Sequence, residues 1–206
     1  MTIKKIGQIS ADSVKKGTGH DWDFWIEKLT KSGARAWSHQ EIVKVLASKF
    51  RLSLWWQQWV ANGFEVQLGL RVEGANLKGR FAATVTKSLN CSASQVWKFV
   101  TSPRGQALWL NGLYAVKIAP KNFFETKDGY FGEIRTVKKA NRIRLHWNHP
   151  EWERKSVVSL NVIARPKGRS LIYFQHDELI SAQQKLEMRK HWELVFKRLV
   201  PVLISK

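Results

Sequence analysis

Cysteine is almost absent: Cys91 is the one thiol in 206 residues. A single thiol excludes a disulfide framework and a cysteine-built metal site. It precedes a helix pattern, which favours thiolate, but no base partners it in the sequence, so it reads as structural. No apolar run approaches the 18 or so residues that a membrane span requires, and membrane insertion is not expected. The start, MTIKKIGQIS, carries Lys without an apolar core and does not read as a secretory signal. No GxGxxG, Walker loop, GxSxG or HExxH occurs, so nucleotide-phosphate binding and common hydrolase chemistry lose their usual warrants. Internal repeats and low-complexity tracts are missing too. These absences describe a cytoplasmic protein that calls for no cofactor and no metal.

Acidic residues are scarce as well, 16 against 35 Lys and Arg, giving a net charge of +19. The imbalance is uneven. Residues 1–74 hold 11 basic and 7 acidic side chains, net +4; residues 75–206 hold 24 and 9, net +15. Such a field attracts nucleic acid, anionic lipid or an acidic protein, although the cations are dispersed along strands and helix instead of massed in one run.

What the chain has in quantity is tryptophan, 11 in all, arranged on helical and strand periods. After a patternless stretch over 1–18, expected as a loose arm, three short helices are predicted. The first starts at Asp21 and carries Trp22, Trp25, Ile26 and Leu29 on one face. The second starts at Ser38, which forms a capping box with Glu41, and carries Ile42, Val45, Leu46 and Phe50. The third starts at Ser53 and carries Trp55, Trp56, Trp59, Val60, Phe64 and Leu68. The Trp residues of this half have core spacing. Val72–Arg80, with two Gly and no periodicity, is the expected linker, giving a three-helix domain over 1–74 and a second domain over 75–206.

From Phe81 the period changes to two. A strand over 81–88 leads into a helix capped by Ser92, with Val96, Trp97, Phe99 and Val100, and then a turn holding Trp109. Strands are predicted at 113–119, 122–125, 130–138, 142–147, 156–165 and 170–176, with glycine turns at Gly129 and Gly168. In the fourth of these, Ile143, Leu145 and Trp147 alternate with Arg142, Arg144 and His146, so one sheet face is apolar and the other basic. A long helix follows from Ser181 and Gln184, with Met188, Trp192, Val195, Phe196, Leu199 and Leu203 on one face. Pro201 is expected to kink or fray it near Val200. The whole is an α+β fold in which a meandering antiparallel sheet wraps the last helix.

The segments HWNHPEW (146–152), PKG (166–168) and FQHDELISAQQKLEMRKHW (174–192) resemble the START-like, or SRPBCC, superfamily. Within it they are similar to bacterial relatives of the activator of the ninety-kilodalton heat-shock chaperone ATPase. GHDWDFWIEKL (19–29), SHQEIVKVL (38–46) and WWQQWVANGFEVQLGLR (55–71) resemble a helical domain of unknown function often joined to that branch. The resemblance implies a helix-grip fold, a seven-stranded-type sheet embracing the last helix, with a cavity for a hydrophobic small molecule. It implies little chemistry, and no motif carries chaperone binding over residue by residue.

The expected function is therefore non-enzymatic binding of a hydrophobic small molecule between sheet and last helix. The candidate cavity residues are Trp109, Leu145, Trp147, Trp152, Phe174, His176, Met188, Trp192, Val195 and Leu199; His176 is the candidate polar anchor at a pocket mouth, against the plainer reading of a sheet-end His bonded to a loop backbone. His146 and His149 sit at i and i+3 on a strand end, facing opposite ways, and do not make a metal pair. A chaperone-cofactor or other protein-interaction role is the alternative. Nucleic-acid binding is not favoured, because the third helix lacks the cations that phosphate contacts need.

Overall fold

The computed structural model describes residues 2–204. The chain falls into two compact units, Met1–Gly79 and Arg80–Lys206.

In the first unit the stretch expected as a loose arm is ordered. Strands β1 (Lys5–Ile6) and β2 (Ile9–Ser10) form a small hairpin, and helix α1 (Ala11–Thr18) follows directly. Ser10 caps α1 by accepting from the Ser13 amide at 3.1 Å. One apolar residue in α1, Val14, is enough to dock it, because it is fully buried. Two indole N–H groups finish the job: Trp22 donates to the Ile9 carbonyl at 3.0 Å and Trp25 to the Thr18 hydroxyl at 2.8 Å. A periodicity search cannot see such a segment. The three expected helices are present as α2 (Trp22–Lys31), α3 (His39–Ser48) and α4 (Leu54–Gln67), capped by Asp21, Ser38 and Ser53. Val14, Trp22, Trp25, Leu29, Ile42, Leu46, Val60 and Phe64 form their common core. Trp55 departs from its expected core position and is 52% exposed. The buried side of α4 is its Val60–Ala61–Phe64 face, and Trp55 lies off it.

In the second unit, β3 (Phe81–Leu89) is followed by helices α5 (Ala93–Thr101) and α6 (Pro103–Trp109). Then come β4 (Phe123–Glu125), β5 (Phe131–Lys138), β6 (Arg142–Asn148), β7 (Ser156–Arg165), β8 (Arg169–Leu179) and α7 (Ala182–Ile204). The strands make one antiparallel sheet in the order β3-β8-β7-β6-β5-β4, so the first strand pairs with the last. Among the described residues it has six strands, not the seven-stranded type that the resemblance implied. The segment 113–119 is no strand. Leu113 and Tyr114 are more than half exposed, and the Val116 amide bonds to the buried Gln106 side chain at 2.9 Å, which satisfies the backbone outside any ladder.

Alternation in β6 holds as read: Ile143, Leu145 and Trp147 are buried, while Arg142 and Arg144 are exposed. Gly132 lets β5 approach β6 closely, since a Cβ there would sit 1.9 Å from the His146 carbonyl oxygen. Helix α7 lays Trp192, Val195, Phe196, Leu199 and Leu203 into the core against the inner sheet face. It continues as helix through Pro201 to Ile204 and does not end near Val200. Leu199 and Leu203 are both buried, and Val200 and Val202 pack beside that core, so apolar packing on either side of Pro201 offsets the lost backbone bond. At the other end the Ser181 hydroxyl accepts from the Gln184 amide at 3.0 Å, and Gln184 Oε1 accepts from the Ile180 amide at 2.8 Å.

Candidate functional site

Seven of the ten expected cavity residues meet in one core: Trp109, Leu145, Trp147, Phe174, Trp192, Val195 and Leu199. They touch one another. Phe174 stacks on Trp192 with ring centroids 4.2 Å apart, Trp147 lies 5.3 Å from Trp192, and Trp109 lies 6.1 Å from Phe174. Met188 is buried too, and Trp152 packs half-buried against the edge of the core. These residues form the inner floor.

His176 is not at a mouth. It is completely buried at the end of β8, with both ring nitrogens engaged. The Trp192 indole N–H can only donate, so His176 Nδ1 accepts it, at 3.1 Å. The imidazole proton therefore sits on Nε2 and donates to Ser156 Oγ at 2.7 Å. The Ser156 hydroxyl in turn donates to the Trp147 carbonyl at 2.9 Å. One proton arrangement satisfies every member of this relay, and it requires a neutral imidazole. A proton on Nδ1 would meet the indole N–H head on. Burial, with the neighbouring His191 adding to it, pushes the His176 pKa down to about 3.

Outside the relay lies a ring cluster that periodicity gave no reason to assemble. Tyr130 precedes β5, His149 and Trp152 come from the turn after β6, and His191 comes from α7. The Tyr130 ring lies 5.2 Å from Trp147, 5.1 Å from His149, 5.6 Å from Trp152 and 5.5 Å from His191. The rings of Trp147 and His191 are 5.9 Å apart. Tyr130, His149, Trp152 and His191 are all half-buried, whereas Trp147 and His176 behind them are fully buried. The signal that could have found them was HWNHPEW together with His191, read as a spatial cluster and not as a metal pair.

Two nitrogens in this cluster have no hydrogen-bond partner among the described residues: Trp147 Nε1 and His191 Nε2. His191 Nδ1 points toward Asp128, 3.8 Å from its carboxylate. Burial lowers the His191 pKa, which the Asp128 charge opposes and Arg198 reinforces. In a neutral His191 with Nδ1–H toward Asp128, Nε2 is an acceptor. Trp147 Nε1–H is a donor. Burial, and then the charges of Asp128 and Glu187, raise the Tyr130 pKa, so its phenol stays protonated. The wall is therefore aromatic and neutral, with one unused donor and one unused acceptor on adjacent rings.

A long C-terminal helix packed on a six-stranded antiparallel sheet defines a START-like helix-grip protein. Residues 90–203, just over half of the chain, match the family described as Activator of Hsp90 ATPase homolog 1-like protein, and the chain belongs to that family. Solved structures share the fold. CalU16 from Micromonospora echinospora is 18% identical, covering 61% of this chain and 66% of its own, with a TM-score of 0.54. The Aha1 dimer from Colwellia psychrerythraea is 11% identical, covering 61% and 98%, with a TM-score of 0.51. PFC0360w, an HSP90 activator from Plasmodium falciparum, is 17% identical, covering 60% and 96%, with a TM-score of 0.50. No curated protein matches the chain. The fold is consistent with a ligand-binding module or a chaperone-cofactor-like module, and no described helix is long and apolar enough to cross a membrane.

Proposed function

We propose that the protein is a non-enzymatic binding module for a flat, hydrophobic small molecule that carries a hydroxyl. Its site is the ring cluster over the core between the sheet and α7. The observation that carries this reading is the pair of unpartnered nitrogens, Trp147 Nε1 and His191 Nε2, among aromatic walls. A buried polar group without a partner costs about 1–3 kcal/mol. A hydroxyl answers both at once, accepting from the indole and donating to the imidazole. Of the residues expected from sequence, Trp147, Trp152 and Trp192 stay in the site, while Trp109, Leu145, Phe174, Met188, Val195 and Leu199 support it from the core. His176 orients Trp192 and is not the anchor; that role passes to His191.

Covering about 200 Å² of ligand carbon at roughly 25 cal/mol/Å² contributes about 5 kcal/mol before association entropy is subtracted, so this burial alone gives an affinity no tighter than roughly 0.2 mM. The test is calorimetric titration with 2-naphthol and, as the comparison that cannot donate, 2-methoxynaphthalene. The naphthol is expected to bind more tightly, with Trp147→Phe weakening it about 2- to 12-fold, the worth of one hydrogen bond, and with little response to salt. Equal affinity for the two probes, or an unchanged Trp147→Phe variant, would refute the assignment. The family description also favours a second reading, a chaperone cofactor. Co-sedimentation with a ninety-kilodalton heat-shock chaperone that survives Trp147→Phe, combined with no uptake of naphthol, would put that reading first.

A further inference from the structure

The first unit contains a cleft of about 530 Å³ that shares no residue with the ring cluster. Its lining includes Arg35, Trp37, Glu65, Leu70, Arg71 and Leu77. We propose that this cleft binds an amphipathic carboxylate, a chain or ring of carbon ending in one carboxyl group, with Arg71 as the anion receptor.

The sequence builds the receptor by a sharp reversal after α4. Gly69 takes φ +69°, a left-handed conformation that costs glycine little. The amides of Leu70 and Arg71 then both return to the Glu65 carbonyl, at 2.8 and 3.2 Å. That brings the Arg71 side chain alongside the Glu65 side chain, with only 10% and 8% of each exposed. Glu65 is itself held from the far side. Its Oε1 lies 2.8 Å from His39 Nδ1, and His39 Nε2 lies 3.0 Å from Gln58 Oε1. Gln58, His39 and Glu65 thus form a chain of polar contacts that ends at the guanidinium.

Arg71 is positioned but not used up. Its Nε sits 3.2 Å from Glu65 Oε2 as an ion pair, yet without the alignment of a hydrogen bond. Its Nε has no hydrogen-bond partner among the described residues, and the guanidinium offers five donors in a fixed fork. A carboxylate is the group that fits such a fork two-pronged. Arg35 adds a second cation to the same cleft, so Glu65 leaves it net positive. The remaining wall is apolar and unusually open: Leu70, Val72 and Leu77 are 50%, 63% and 66% exposed, and Trp37 is half-buried. Exposed apolar groups gathered round one held cation match a ligand with an apolar body and one anionic end, not a bare anion.

The experiment is titration of the full, isotope-labelled chain with decanoate, decanol and inorganic phosphate, followed by amide chemical shifts. Decanoate is expected to give saturable shifts over 35–38 and 70–79. Decanol is expected to bind at least tenfold more weakly, and phosphate more weakly still. Arg71→Gln should weaken decanoate at least tenfold, with Arg71→Lys in between because it keeps the charge and loses the fork. Leu77→Ser, on an exposed position that leaves the fold intact, should weaken decanoate several-fold and leave phosphate unchanged. No saturable shift over 70–79, equal binding of decanoate and decanol, or Leu77→Ser without effect would each overturn the proposal. Shifts confined to the surroundings of Tyr130, Trp147 and His191 would also overturn it, while supporting the naphthol site. Phosphate competing as well as decanoate would reduce the cleft to a simple anion site and sink the amphipathic assignment.

Discussion

Acid should destabilise the sheet unit through His176, and the size of the effect follows from its surroundings. In the unfolded chain this imidazole takes up a proton near pH 6.5. In the folded chain burial and His191 hold it neutral down to about pH 3. Between those values the unfolded state binds the extra proton, so stability falls as pH falls; it is fully present above about pH 7. From pH 7 to pH 5 the loss is about 2 kcal/mol, at about 1.36 kcal/mol per pH unit once the unfolded imidazole is protonated. The loss continues toward pH 3. His191 and His146 are shifted in the same direction, each chiefly by burial, and add to it. Against a total stability of roughly 5–15 kcal/mol this is a large fraction. The assay is amide exchange at Val158, Leu160 and Phe174 in β7 and β8, compared at pH 7 and pH 5 for the wild type and His176→Gln. The variant should be less stable at pH 7 but should lose about 2 kcal/mol less between the two pH values. Should it fail to fold, a proton-NMR titration of the wild-type His176 ring replaces it, with no titration expected down to pH 4. Identical pH dependence in the two proteins, or a ring that titrates near pH 6, would refute the relay and its tautomer.

Two further outcomes concern packing and organisation. Gly63→Ala should destabilise the first unit, although Ala is worth about 1 kcal/mol over Gly in a helix interior, because the new Cβ would lie 2.4 Å from the buried Trp22 ring; a higher thermal midpoint would show that ring to be movable. We also propose that the two units fold separately. Limited trypsin digestion should then cut first after Lys78 or Arg80, whereas first cuts elsewhere, with that link protected, would count against separate folding.

The parts of the fold that were legible in sequence are those where one physical rule decides alone. Ser38 with Glu41, and Ser92 as a cap, announced helix starts that appear as capping boxes, the second completed by Gln95. Alternation in β6 set its two faces because nothing but the pleat governs them. The misses lie where tertiary contacts override the local signal. Val14 and two indole hydrogen bonds order a stretch with no periodicity. The Gln106 side chain takes the Val116 amide and keeps an apolar, β-prone run out of the sheet. Burial of Leu199 and Leu203 carries α7 past Pro201.

For the site, side-chain chemistry was legible but its distribution was not. Sequence could say that Trp147, His176 and Trp192 would converge, since strand and helix periods bring them to facing surfaces. It could not say which polar atoms would find partners. That depends on Ser156, which opens β7 and whose hydroxyl closes the chain from Trp192 through His176 to the Trp147 carbonyl. Once the relay is closed, His176 has no nitrogen left for a ligand. The Trp147 indole N–H, on the same residue whose carbonyl ends the relay, stays unused. The same reasoning bears on His191. It immediately precedes Trp192 on α7, its ring meets Trp192 edge-on at 4.7 Å, and its Nε2 is left open. A relay that immobilises Trp192 therefore also sets the position of His191. On the proposed binding reading, Ser156→Ala should weaken 2-naphthol in the same calorimetric titration by loosening Trp192 and His191, and unchanged binding would count against that link.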